Sequence, residues 1–153
     1  MNFKSIDEIL TFAIGKENEA VDFYQSQAAK ATKASLKEIF ESFAGEEQKH
    51  AALLSDIAGN REKIESYEFK KIPDLKISDY MVEKDYEEGM PMPEILKVAM
   101  KREEKAVKLY QTLADQTDNA DAKQVFLMLV QEESKHKLAL ETMYDDYLAD
   151  QDN

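Results

Sequence analysis

The chain holds two histidines, and each follows a glutamate by three residues: Glu47–His50 and Glu133–His136. On an α-helix, residues three apart are neighbours on one face. A carboxylate and an imidazole so placed can hold one divalent cation, and the carboxylate can also reach a second. Alone, each Glu-x-x-His is a weak signal. They gain weight from an internal repeat: shifted by 86 residues, 11–57 align with 97–143 without a gap, matching Ala13 with Ala99, Tyr24 with Tyr110, Phe40 with Phe126 and both Glu-x-x-His motifs. The repeat also pairs Glu17 with Glu103, each 30 residues before its motif's glutamate.

These six residues fall on apolar helical stripes, where an uncompensated carboxylate is very costly to bury. Two divalent cations would balance four carboxylates while both imidazoles stay neutral. The expected metal ligands are therefore Glu17, Glu47, His50, Glu103, Glu133 and His136. The competing reading is a buried salt-bridge network in a metal-free helical module. The nearby cations, Lys16, Lys49, Arg102 and Lys135, point to other faces in a helical projection. Glu46 and Glu132 lie about 100° from the seam and read as surface. Tyr24 and Tyr110 share the stripes of Glu17 and Glu103, and as buried phenols they are expected to hydrogen-bond a ligating carboxylate; ordinary core tyrosine is the alternative. Met100, Met128 and Met143 read as core.

Four helices must position these groups. The first opens at Ser5-Ile-Asp-Glu8, a capping box, with the inward stripe Ile6, Leu10, Ala13, Glu17, Ala20, Tyr24, Ala28. The second opens at a similar Ser35-Leu-Lys-Glu38, with Leu36, Phe40, Phe43, Glu47, His50, Leu54, Ile57, and stops near Gly59-Asn60 or a turn or two later. Pro93 suits the first turn of the third, whose stripe is Leu96, Ala99, Glu103, Ala106, Tyr110, Leu113. The fourth opens near Asp118–Asp121 and carries Ala122, Phe126, Leu129, Glu133, His136, Leu140, Met143, Tyr147, with fraying expected from Asp150. No helical period persists over 60–92. That segment is too long for a loop between antiparallel neighbours and long enough to run the length of a bundle, so the second and third helices are expected to be parallel. The expected fold is all-α: one domain over 1–153, built of a hairpin at about 5–59, a crossover at about 60–92 and a second hairpin at about 93–147.

Composition narrows the function. The 153 residues carry 32 acidic against 20 basic side chains, a formal charge of −12, which disfavours nucleic acid and anionic membranes as partners. There is no cysteine, hence no disulfide, thiolate zinc site or cysteine-ligated iron–sulfur cluster. The N-terminus lacks the apolar run of a signal peptide, and no stretch approaches a membrane span; the expected compartment is the cytoplasm.

The ligand pattern resembles the ferritin-like superfamily, in which two helices each give a glutamate and two others each give a Glu-x-x-His, and within it the rubrerythrin-type proteins. The resemblance covers nearly the whole chain, including the long crossover. It implies that Glu47 and Glu133 bridge two metals, that Glu17 and Glu103 are terminal carboxylates, and that His50 and His136 each ligate one metal. Two features depart from the family pattern. The four-cysteine rubredoxin iron site common in rubrerythrins has no counterpart here. The additional glutamate they carry one turn before the third-helix ligand is replaced by Met100, and that glutamate is tied to the family's peroxide reduction.

The leading expectation is a non-haem di-iron oxidoreductase acting on peroxide, O2 or Fe(II), with two iron ions (manganese or zinc being acceptable to the same donors), fed by a separate electron donor such as a rubredoxin. The alternative is a metal-binding or iron-handling protein without turnover. A homodimer is compatible with either.

Overall fold

A computed structural model describes residues 3–60, 69, 72–81, 85–87 and 89–151. Four long helices account for most of them: α1, Ile6–Lys30; α2, Ala34–Gly59; α3, Met92–Gln116; and α4, Ala120–Gln151. No strand occurs among the described residues. The starts of α1 and α2 and the end of α1 recur in α3 and α4 displaced by 86 residues, so the sequence repeat is also a repeat of helix boundaries. The chain divides into two compact units, Met1–Tyr67 and Glu68–Asn153, each containing one hairpin.

In the first unit α1 packs against α2 through a three-residue turn at 31–33. Ser5 caps α1, its hydroxyl accepting the Glu8 N–H at 3.2 Å. Glu8 returns the interaction one residue earlier than a capping box requires, accepting from the Lys4 N–H at 2.7 Å. The second expected box does not form. α2 starts at Ala34 with Lys33 as its N-cap and no side-chain cap, which puts Ser35 inside the helix. The stripes hold with small adjustments. Ile9 and Val21 join the buried face of α1, while Ala20 and Leu36 are only half-buried. The core is aromatic at the turn end: the Tyr24 ring meets Phe43 edge-on at 5.2 Å and stacks near Phe40 at 6.4 Å. α2 ends at Gly59, capped by Asn60 in extended conformation; the further turns considered for it lie outside the described residues.

The second unit repeats this plan with α3 against α4 around a turn at 117–119. Pro93 sits in the first turn of α3, where its missing N–H costs nothing. Asn119 caps α4, its side-chain oxygen accepting the Ala122 N–H at 2.9 Å. Met100 and Met128 are fully buried, as expected of core, but Met143 is 37% exposed and does not belong to it. α4 continues through Gln151, past the fraying expected from Asp150. Among the described residues of the crossover, a 3-10 turn forms at Ile77–Tyr80, preceded by Lys76 in the left-handed region at φ 59°, ψ 17°.

Candidate metal centre

Each hairpin carries its three expected ligands together on its buried face. In the first, Glu17 from α1 and Glu47 and His50 from α2 are 2, 2 and 5% exposed. His50 Nδ1 lies 3.6 Å from both Glu17 Oε2 and Glu47 Oε2. In the second, Glu103 from α3 and Glu133 and His136 from α4 are equally secluded, and His136 Nδ1 stands 3.0 Å from Glu103 Oε1. Within each triad, one donor atom from every residue lies within 4.8 Å of the others. Ligands about 2.1 Å from one ion are separated by roughly 3.0 Å when adjacent and 4.2 Å when opposite, so each triad fits a single divalent cation with modest adjustment. Carboxylate oxygen with imidazole nitrogen is a donor set for iron, manganese or zinc.

The local sequence explains the convergence. Glu47 and His50 sit one turn apart between Phe43 and Leu54 on the buried stripe of α2, so burying the apolar residues carries the polar pair inward. Lys16, Lys49 and Lys135 do point elsewhere, pairing with Glu19, Glu46 and Glu132 at 3.6, 3.3 and 2.8 Å. Tyr24 and Tyr110 are buried on the ligand stripes, at 1 and 2% exposure.

A second group of buried charges, all in the second unit, was not read from the sequence: Glu104, Lys137 and Glu141. Lys137 Nζ donates to Asp74 Oδ1 at 2.7 Å and to Glu141 Oε1 at 3.4 Å. Glu141 Oε2 accepts the N–H groups of Ile77 and Ser78, at 2.7 and 3.3 Å. Crossover residues 74–78 are thereby latched to the flank of α4. On the neighbouring helix, Lys101 and Lys108 both donate to Glu104, at 2.7 and 2.8 Å. Burial would push the Glu104 carboxyl up, but the two lysines outweigh it and hold it below the usual range. Burial likewise works against the Lys137 ammonium, yet its hydrogen bond to Asp74 and the charge of Glu141 leave it raised. The only sequence signal was Lys137 and Glu141 at i, i+4, a spacing common on solvated faces. What buries this pair is a segment some 60 residues away in sequence.

A pair of α-helical hairpins, each with a buried Glu–Glu–His triad, defines a helical metal-binding class. The chain belongs to the rubrerythrin family, which it matches over residues 8–144, and its fold is the ferritin-like four-helix bundle of that family. A solved structure of a hypothetical protein from Pyrococcus furiosus is 28% identical, with a TM-score of 0.56, covering 95% of this chain and 92% of its own. No curated protein matches the chain significantly. No helix among the described residues is long and apolar enough to cross a membrane.

Proposed function

We propose that Glu17, Glu47, His50, Glu103, Glu133 and His136 serve one dinuclear metal centre, with two iron ions, and that the protein is a non-haem di-iron oxidoreductase acting on O2, peroxide or Fe(II). The observation that carries this reading is the duplicated triad in a rubrerythrin-family chain: three buried donors within 4.8 Å of one another, twice. The two sets supply four carboxylates, which two divalent ions neutralise. On this reading Glu47 and Glu133 bridge the ions, Glu17 and Glu103 close the outer positions, and each histidine holds one ion. Iron in such a centre supplies electron transfer to an oxygen substrate. The chain's own part is to hold the donors in a buried site, with Tyr24 and Tyr110 orienting ligating carboxylates on a facing helix. Electrons would come from a separate donor, such as a rubredoxin.

A second reading, iron handling without turnover, is favoured by Met100. It is fully buried on α3 and offers no hard oxygen donor at the position where the family resemblance implies a carboxylate tied to peroxide reduction. Anaerobic loading with Fe(II), followed by O2 or H2O2, separates the two. The oxidoreductase reading expects near-ultraviolet absorption of oxidised iron that bleaches with a reductant and returns over repeated cycles. A single unrepeatable oxidation supports iron handling, and purified protein that binds no Fe(II), Mn(II) or Zn(II) defeats both.

A further inference from the structure

The two hairpins are repeats in sequence, yet their surroundings differ. Lys137 and Glu141 stand 86 residues after Ala51 and Ser55, which are half-buried and exposed and carry no charge. Among the described residues only the second hairpin has a latch. Lys137 directly follows His136, about 100° round the helix, and Glu141 lies one turn further on the same flank. Their bonds to Asp74, Ile77 and Ser78 resist rotation of α4 about its axis, the motion that would swing Glu133 and His136 out of register.

The donor separations differ as well. His136 Nδ1 and Glu103 Oε1 are 3.0 Å apart, the separation of two adjacent ligands on one ion. His50 Nδ1 is 3.6 Å from each of its carboxylate neighbours, a wider separation that one ion also spans. A preset site loses less free energy in ordering its ligands.

We propose that the two triads are inequivalent: the second, Glu103–Glu133–His136, takes up divalent metal first and more tightly, and the Asp74–Lys137–Glu141 latch is the positioning device that makes it so. This rests on the dinuclear reading above, and it adds an order of filling and the residues that set it.

Anaerobic titration of the whole chain with Co(II), followed by its visible absorption, tests it. The wild type binds two equivalents in two steps separated by about tenfold or more in affinity. His136→Ala loses the tight step, whereas His50→Ala keeps it and loses the weak one. Asp74→Asn alters a side chain that is 54% exposed, so the fold survives, as unchanged helical circular dichroism will show. It weakens the tight step by about threefold to tenfold and leaves the weak step in place; Lys137→Met does the same or more. Loss of the tight step in His50→Ala, or equal shifts of both steps in the latch variants, overturns the proposed order while leaving two metals per chain. Binding of fewer than two equivalents by the wild type overturns the dinuclear reading and this proposal together.

Discussion

Glu141 reaches back 64 residues to Ile77, its Oε2 accepting that residue's N–H at 2.7 Å. With Ser78 as a second donor to the same oxygen and Lys137 on the other, one fully buried carboxylate fastens the crossover to the helix that carries Glu133 and His136. Glu141→Ala leaves two N–H groups and a buried ammonium short of an acceptor, so it is expected to cost about 2–4 kcal/mol. The double variant Lys137→Met/Glu141→Ala should be less unstable than the sum of its singles, because no buried charge is then left short of a partner. Urea unfolding of the four proteins in a double-mutant cycle checks both statements, and strict additivity would contradict the latch.

The latch also gives stability a pH signature. The Lys137 ammonium beside Asp74 holds the Asp74 carboxyl below its ordinary value of 3.8. A carboxyl depressed in the folded state stabilises above its unfolded pKa and loses that contribution as pH falls through the folded one. The stability difference between wild type and Asp74→Asn should therefore be flat above about pH 5 and shrink as pH drops below about 4. Thermal unfolding of both proteins across that range is the measurement. A difference that grows on acidification would reverse the sign and reject the assignment.

Lys76 occupies left-handed backbone at φ 59°, ψ 17° just before the latched turn. A side chain there costs about 1 kcal/mol relative to glycine, so Lys76→Gly is expected to raise stability by roughly that amount. Lys76→Val should lower it, since β-branched residues tolerate the left-handed region least.

The two serines expected to open α1 and α2 are a matched pair for comparison. Ser5→Ala removes an observed cap and should cost about 1 kcal/mol. Ser35→Ala replaces an exposed residue inside α2 with a better helix former and should be neutral or stabilising by a few tenths of a kcal/mol. Equal losses at both positions would restore the capping box that the structure does not contain.

Metal stoichiometry tests the ligand roles. Glu47→Ala and Glu133→Ala should each abolish binding of at least one ion, read by elemental analysis after Fe(II) or Mn(II) loading and desalting. Retention of two ions by either variant would remove that residue from its bridging role.

The sequence by itself determined the four helices, the 86-residue repeat and the six triad residues. The reason is that helical periodicity is local: a glutamate that replaces a leucine on an apolar stripe is carried inward by its neighbours, and a repeat shows the substitution twice. It could not determine which charges off those stripes are buried. Lys137 and Glu141 have the spacing of any solvated helix pair, and only the return of residues 74–78 onto α4 takes them out of water. The uncapped start of α2 and the exposure of Met143 were likewise visible only in the structure. The tertiary structure therefore decided what distinguishes the two halves: among the described residues, one Glu–Glu–His triad has a latch beside it and the other has none.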